Sequence, residues 1–380
     1  MTNKDLYLYS QLRQLKGQIN APNKYQAIQA LVRSNTASDF FTVHESQLTS
    51  TRGSDTLTWD ILGINHDTPS DPQYTRSMTL QLHDQFPTAM QFDAPEAFYY
   101  CETELPVGTY HFKIDPTYDA TYNSFKDTGY QFTLTKPVPA GGQLTFPWGY
   151  NAQASAAKVS SYESGSATTA IESVTVTSGT GGQGLGTLVI AGDFANNLNS
   201  IHRVRYGSNN YKESAIRQLL NSSAAAGSVW KPQTKWDRPP AWAATTAGFM
   251  YGMDADFLAA ISKTHIITAR NTVCEGGGYD EMDDYFFLLS KREVYMGNEV
   301  ASVIEGEPYP YYSDYSDLSA PGTGNDSNRV KYLGGSAQWW WLRTPDPMYG
   351  GFVRNVNPTG AVNTPSASNS SEVAPACNII

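Results

Sequence analysis

Trp339-Trp340-Trp341-Leu342-Arg343-Thr344-Pro345 opens the C-terminal segment, and Val373-Ala374-Pro375-Ala376-Cys377 nearly closes it. Between these two apolar stretches the chain from Asp346 to Glu372 is mostly small and polar, with Val353, Val356, Val362 and Ala367 spaced along it as anchors. Asp346, Tyr349, Gly351, Phe352, Arg354, Asn355, Asn357, Ala361, Asn363, Thr364, Ser366, Ser368, Asn369 and Ser370 lie between the anchors and are the candidate ligand-binding positions. Tyr, Ser, Asn, Gly and Arg suit a recognition surface, because they combine large contact area at low entropy cost with adaptable hydrogen bonding. An Asn/Ser-rich surface loop has the same composition. The frame favours display, since loops seldom begin with three tryptophans and end in a buried-type Val-Ala-Pro-Ala strand.

The pattern Trp340-Trp341-Leu342-Arg343-x-Pro345, then Val353-Arg354-x-Val356-x-x-x-Gly360, then Val373-Ala374-Pro375-Ala376 resembles the variable region of diversity-generating retroelement target proteins. Upstream, Trp59-Asp60-Ile61-Leu62-Gly63-Ile64-Asn65-His66-Asp67, Gln91-Phe92-Asp93-Ala94-Pro95-Glu96-Ala97 and Pro308-Tyr309-Pro310-Tyr311-Tyr312 resemble segments of a prophage-associated branch of the same group. The resemblance implies a C-type lectin fold that displays exchangeable side chains for receptor or ligand binding, with Trp340, Trp341, Leu342, Arg343, Pro345, Val373 and Pro375 as its scaffold. It also implies diversification by miscopying of adenines, which acts mostly on Asn-type codons. Met348, Glu372 and Trp339 depart from what such codons reach; Asp346, Tyr349, Phe352, Arg354, Asn355 and Asn357 are the foremost contact candidates.

The chain has 380 residues, which suggests two or three domains at roughly 150 residues each. Charged residues make up 16% against about 25% in an average globular protein, while aromatics reach 12% and there are 31 glycines, a β- and loop-rich balance. The net charge of −10 argues against a nucleic-acid surface, which needs clustered Lys and Arg. No stretch has the length of a membrane span. The start, Met1-Thr2-Asn3-Lys4-Asp5-Leu6-Tyr7, lacks the apolar core and cleavage site of a signal peptide, so cytoplasmic synthesis is expected, with release in a phage particle. Cys101, Cys274 and Cys377 are far apart, without metal-ligand spacing, and read as buried free thiols.

Three zones follow. Residues 1–36 form an N-terminal helical segment: Leu8, Leu12, Leu15 and Ile19 make one stripe, and a second helix runs from Asn23 to Arg33 with Ile28, Leu31 and Val32 inward. That stripe suits a subunit contact, attachment to a larger assembly, or packing on the chain's own β domain. Residues 37–190 form a β-rich, sandwich-like domain, with alternating strands at Thr58–Ile64, Ser77–Leu82, Gly108–Ile114 and Tyr130–Thr135. Ser178-Gly179-Thr180-Gly181-Gly182-Gln183-Gly184 is the candidate linker; it lacks the Gly-Lys-Ser/Thr ending of a phosphate loop. Residues 191–380 are the lectin-type α+β domain, with the variable region at about 337–380. Its elements are helices at Lys212–Asn221, capped by Ser214 or Asn210, and Asp254–Lys263, capped by Asp254, and short strands at Thr264–Ala269, Phe286–Leu289 and Trp339–Arg343.

Catalysis is weakly signalled. Asp280, Glu281, Asp283 and Asp284 form one acidic cluster and Asp314, Asp317 and Asp326 another, which would suit glycoside hydrolysis or calcium. The first lacks EF-hand spacing, and the lectin calcium signatures Glu-Pro-Asn and Trp-Asn-Asp are absent. The six histidines, His44, His66, His83, His111, His202 and His265, are dispersed and lie beside no nucleophile elbow or His at i+4. The expected function is recognition without enzymatic chemistry or cofactor. The partner would be a protein or glycan on a cell surface, with a homo-oligomer or phage particle as the assembly. The competing readings are a structural phage tail or fibre component with a fixed lectin-like domain, and a calcium-dependent carbohydrate-active protein.

Overall fold

The computed structural model describes residues 23–93, 97–100, 106–114, 130–134, 142–146, 156–163, 166–178, 186–190, 203–204, 209–231, 239–270, 277–312, 326–347 and 352–380, with 104 and 137. The fold is mixed α/β, mostly strands with few helices. No helix among the described residues is long and apolar enough to cross a membrane.

The helix Lys24–Arg33 starts where the Asn23 side chain accepts the Gln26 amide at 2.9 Å. Its spacing buries Tyr25, Ile28, Leu31 and Val32 in the core, as expected of an amphipathic helix packed on its own domain. The upstream stripe Leu8–Ile19 lies outside the described residues. Strands Gln47–Arg52 and Asp55–Ile64 form a hairpin whose turn needs the left-handed backbone of Gly53, φ +59°. Met78–Leu82 pairs antiparallel with Asp55–Ile64 on one side and with the C-terminal strand Ala376–Ile379 on the other, with Leu80 opposite Cys377. Ile261–Ser262 completes this five-stranded sheet at the far edge of Ala376–Ile379.

A second five-stranded sheet runs in the order Val362–Asn363, Val353–Val356, Trp340–Pro345, Ser370–Val373, Phe86–Gln91. Its central pairing is parallel, Trp340 beside Glu372. Both sheets therefore interleave strands from residues 47–91 with strands from 340–379. One hydrophobic core unites them, from Tyr25 to Ile379, and includes Trp59, Phe92, Phe257, Phe286, Trp340 and Trp341.

The strands between 97 and 204 make a separate eight-stranded sheet, in the order Arg203–Val204, Gly186–Ile190, Gly108–Ile114, Tyr130–Leu134, Ser166–Ser178, Ala156–Glu163, Gly142–Phe146, Ala97–Tyr100. Its two outermost strands approach each other, so the sheet curls. The division at 37–190 and 191–380 is corrected accordingly: residues 47–91 belong to the sheets of the C-terminal segment, and the curled sheet is inserted between them. Alternation identifies strands but not their partners, and these partners lie some three hundred positions along the chain. The candidate linker 179–184 lies outside the described residues.

Locally, Ser214 caps the helix Ala215–Leu220 and Asp254 caps Ala255–Ala260. The second ends three residues before the expected Lys263 because Ile261 turns extended to pair with Ile379. Phe286–Leu289 is buried but is not a strand; only Phe287 bridges to Ala376.

A fragment of residues 209–380 lacks Met78–Leu82 and Phe86–Gln91, the strands that cover one side of Ala376–Ile379 and of Ser370–Val373, and should not fold alone. Co-expression with residues 23–93 should restore near-ultraviolet circular dichroism. A cooperatively folded 209–380 fragment would contradict the interleaved topology.

Candidate functional site

The strand Trp340–Pro345 is buried along its whole length. Buried indole N–H groups need acceptors: that of Trp340 donates to the Arg329 carbonyl at 2.9 Å, and that of Trp341 to the Met90 carbonyl at 2.7 Å. The Trp341 ring meets Phe92 edge-on, centroids 5.7 Å apart.

Arg343, 1% exposed, spends all of its guanidinium donors inside the protein. Nη1 and Nη2 grip the two Glu293 carboxylate oxygens at 2.6 and 2.7 Å. The remaining N–H groups donate to the carbonyls of Leu288 at 2.8 Å, Glu305 at 2.8 Å and Ile267 at 3.2 Å. Burial pushes the Glu293 carboxyl upward and Arg343 opposes this; Glu293 in turn raises the guanidinium. The Glu305 carboxylate accepts from Thr344 Oγ1 at 2.7 Å, Thr268 Oγ1 at 3.1 Å and the Ala269 amide at 2.9 Å. Gly306 has φ +90°, and a Cβ there would stand 2.2 Å from Glu293 Oε1. The expected scaffold residues Trp340, Trp341, Leu342, Arg343, Pro345, Val373 and Pro375 are all buried.

The expected contact residues divide into two groups. Asn363, Asn369 and Ser370 are exposed, and Phe352, Asn357, Ala361, Thr364, Ser366 and Ser368 are half-buried along the same segment. The Ser366 and Ser368 hydroxyls share a hydrogen bond of 2.8 Å. The Asn357 side chain accepts the amides of Thr359 at 2.9 Å and Ala361 at 3.0 Å, which closes the turn between Val353–Val356 and Val362–Asn363. That turn passes through Gly360, φ +82°, where a Cβ would collide with the Asp326 backbone.

Asp346 and Asn355 are buried, which corrects their placement as displayed contacts. Asn355 is paired with Trp341 across the strands, and directly opposed residues share a face, so its side chain points inward and donates to Ser371 Oγ at 3.2 Å. Arg354 is pinned: its guanidinium meets Asp346 Oδ2 at 3.0 Å, Glu299 and the Thr364 hydroxyl. Glu299 takes Lys291 on its other oxygen at 2.6 Å, which makes an alternating chain of four charges along the base of the segment. Tyr349 and Gly351 lie outside the described residues, as does Met348.

The acidic strand Tyr279–Asp284 alternates with the pleat. Asp284 points inward to Arg217 at 2.7 Å and Asp280 takes Asn210 at 3.0 Å, while Glu281 and Asp283 face outward beside His265. Asp326 accepts the Asn328 amide as a helix cap; Asp314 and Asp317 lie outside the described residues. Among the described residues no group of three or more His, Cys, Asp or Glu could hold a metal ion. Cys377 is buried and unpaired, with its thiol pushed up by burial; Cys101 and Cys274 lie outside the described residues.

Two ionic clusters carry no local sequence signal. Buried Lys331 reaches Asp60 Oδ2 at 3.2 Å and the Leu82 carbonyl at 2.9 Å, while the His83 ring and Gln47 amide donate to the same carboxylate at 2.8 Å. Burial opposes the charge on Asp60, but Lys331, His83 and Gln47 hold it well below the usual carboxylate range. At the end of the same sheet, Asp67 accepts from His66, Tyr309, Thr79 and Asn378. Their partners lie up to 311 positions apart, beyond any motif window.

A mixed α/β domain of interleaved strands, with a buried aromatic-basic strand under a polar segment, is the class this geometry defines. Residues 186–380 match the family described as a domain of unknown function, DUF6273, and the chain belongs to that family. No curated protein and no solved structure matches the chain.

Arg343→Lys keeps the charge but loses the planar five-donor fork. The Ile267, Leu288 and Glu305 carbonyls compete for a single ammonium with the Glu293 carboxylate. Urea unfolding should show a loss of about 1–3 kcal/mol, the cost of leaving buried acceptors without donors. A change below about 0.5 kcal/mol, the range of surface substitutions, would contradict this role.

Proposed function

We propose that this chain is a ligand-binding protein that displays exchangeable side chains on a rigid scaffold, diversified by a retroelement, in the service of phage host recognition. The fold this reading requires for residues outside the inserted sheet is of the C-type lectin kind. The observation that carries it is the segregation of roles within 340–379: the strand beneath is buried and its Trp340, Trp341 and Arg343 side chains are hydrogen-bonded to backbone carbonyls of other segments, while exposed and half-buried polar side chains lie on the segment it supports. A surface of this kind binds because its backbone is already fixed, so little ordering entropy is lost on association. Exchange of side chains at Asn363, Thr364, Ser366, Ser368, Asn369 and Ser370 would alter the partner and leave the fold intact. The partner in this reading is a protein or glycan on a cell surface, and the chain travels in a virion or released particle. No catalytic step is assigned, and no cofactor.

Sequencing the 3′ end of the gene across copies from its source population tests the proposal. Variation should concentrate in the codons of the exposed and half-buried positions of 346–372, at sites where a nearby repeat carries adenine. The Trp340, Trp341, Arg343 and Val373 codons should be constant. Uniform variation, or none and no adjacent repeat, would overturn it. In the protein, Asn363→Ala and Ser370→Ala should each change stability by no more than about 0.5 kcal/mol, the range for surface sites.

A further inference from the structure

His66 sits in a turn after the strand Asp55–Ile64 and is largely enclosed, with 14% of its side chain exposed. Its Nδ1 lies 2.9 Å from Asp67 Oδ1, and its Nε2 lies 3.1 Å from the Pro308 carbonyl oxygen. Both partners are acceptors with no hydrogen to give. A neutral imidazole has one N–H and one lone pair, so it would set that lone pair against one of the two oxygens. Only the doubly protonated ring satisfies both contacts.

We propose that His66 is a proton-dependent clamp, held as an imidazolium in the folded chain, which fastens the 305–312 segment to the end of the first sheet and releases it on losing its proton. The clamp has two jaws. One is the ring itself, bonded to Pro308 and lying against Tyr309 with centroids 4.2 Å apart. The other is Asp67, which accepts the Tyr309 hydroxyl at 2.8 Å and is tied to the sheet by Thr79 at 2.9 Å and Asn378 at 2.8 Å. Among the described residues, the charged groups that act on the ring are Asp67 from its own turn and Glu293 from across the core. Both are acidic, and Glu293 is itself engaged by Arg343. The Tyr309 phenol faces Asp67 and is held neutral, far above its ordinary range, chiefly by burial.

Burial alone would lower the His66 pKa, but Asp67, the Pro308 carbonyl and Glu293 outweigh it and the value lies above that of an ordinary histidine. The linkage has a definite sign. A group whose folded pKa is raised contributes stability that is complete below its unfolded value and is lost as pH rises through the folded value. The clamp is therefore closed on the acid side of its midpoint and opens on the alkaline side. Asp67, depressed by His66, Asn378 and Tyr309 against the cost of burial, stays charged throughout that transition.

Nitrogen-15 spectra of histidine rings in the full-length chain, followed with pH, test this directly. The expected result is a His66 signal with both ring nitrogens protonated and a midpoint above about 6.5, the unperturbed value, alongside that of His83, which Asp60 also raises. The amide of Tyr309, which donates to the Glu293 carbonyl, should exchange faster beyond the intrinsic tenfold per pH unit as that midpoint is crossed. His66→Gln identifies the signal by its loss. Tyr309→Phe, which keeps both ring contacts and removes a donor from Asp67, should move the same midpoint upward and so serves if the glutamine variant does not fold. A His66 midpoint at or below that of the unfolded chain, or a ring with one unprotonated nitrogen on the acid side of 6.5, would overturn the proposal.

Discussion

A guanidinium taken wholly out of water is tolerated only when every one of its donors is met, and Arg343 imposes that condition on much of the molecule. Its acceptors come from the strand Thr264–Ala269, from the irregular stretch around Leu288 and Glu293, and from Glu305. The chain from 285 to 312 has almost no regular secondary structure, yet its core side chains are buried. What holds it is this hub, extended by Glu305 to Thr344 and by Ser290 to the Glu305 carbonyl. Gly306 follows from the same geometry, because any side chain there would occupy the space of the Glu293 carboxylate.

The hub also explains how one strand can support an exchangeable surface. Trp340, Trp341 and Arg343 each anchor to backbone carbonyls of other segments, so the frame does not depend on the side chains above it. Interleaving adds to this. Ser370–Val373 is held between Trp340–Pro345 and Phe86–Gln91, and Ala376–Ile379 runs between Met78–Leu82 and Ile261–Ser262, so the C-terminal strands are clamped on both sides. Side chains on the rim between these strands make few contacts whose loss the fold would register. Asp346 and Arg354 are the exception: they pair with each other, and Arg354 also pairs with Glu299, so a change at one is felt by the other.

Much of the local structure was legible because it is written in adjacent residues. Asn23 and Asp254 marked the starts of two helices, Ser214 was one of two candidate caps for a third, and the Thr58–Ile64 and Ser77–Leu82 alternations marked two strands. The buried character of Trp340–Pro345 was legible in part from the tryptophans followed by Leu and Arg, but the strand begins one residue later than the expected Trp339, which is exposed, and runs on to Pro345. The domain division was not, since a strand such as Met78–Leu82 carries nothing in its own residues to say that its neighbour is Ala376–Ile379. Of the candidate surface, Asn363 and Ser370 are exposed, whereas Asn355 is buried. Composition marks an asparagine as a surface residue, whereas its register opposite Trp341 turns it inward. The ionic pairs of Asp60 with Lys331 and Asp67 with His66 were invisible or anonymous for the same reason, with proton placement set by contacts that only the fold creates.

The central claim is that 340–379 separates a fixed frame from a free surface. A saturation-substitution library over these residues, sorted for folded, protease-resistant protein, measures that separation position by position. The account requires broad tolerance at Asn363, Thr364, Ser366, Ser368, Asn369 and Ser370, and near-complete intolerance at Trp340, Trp341, Arg343, Asn355 and Val373. Tolerance spread evenly along the segment, or intolerance at the rim equal to that of the frame, would contradict it.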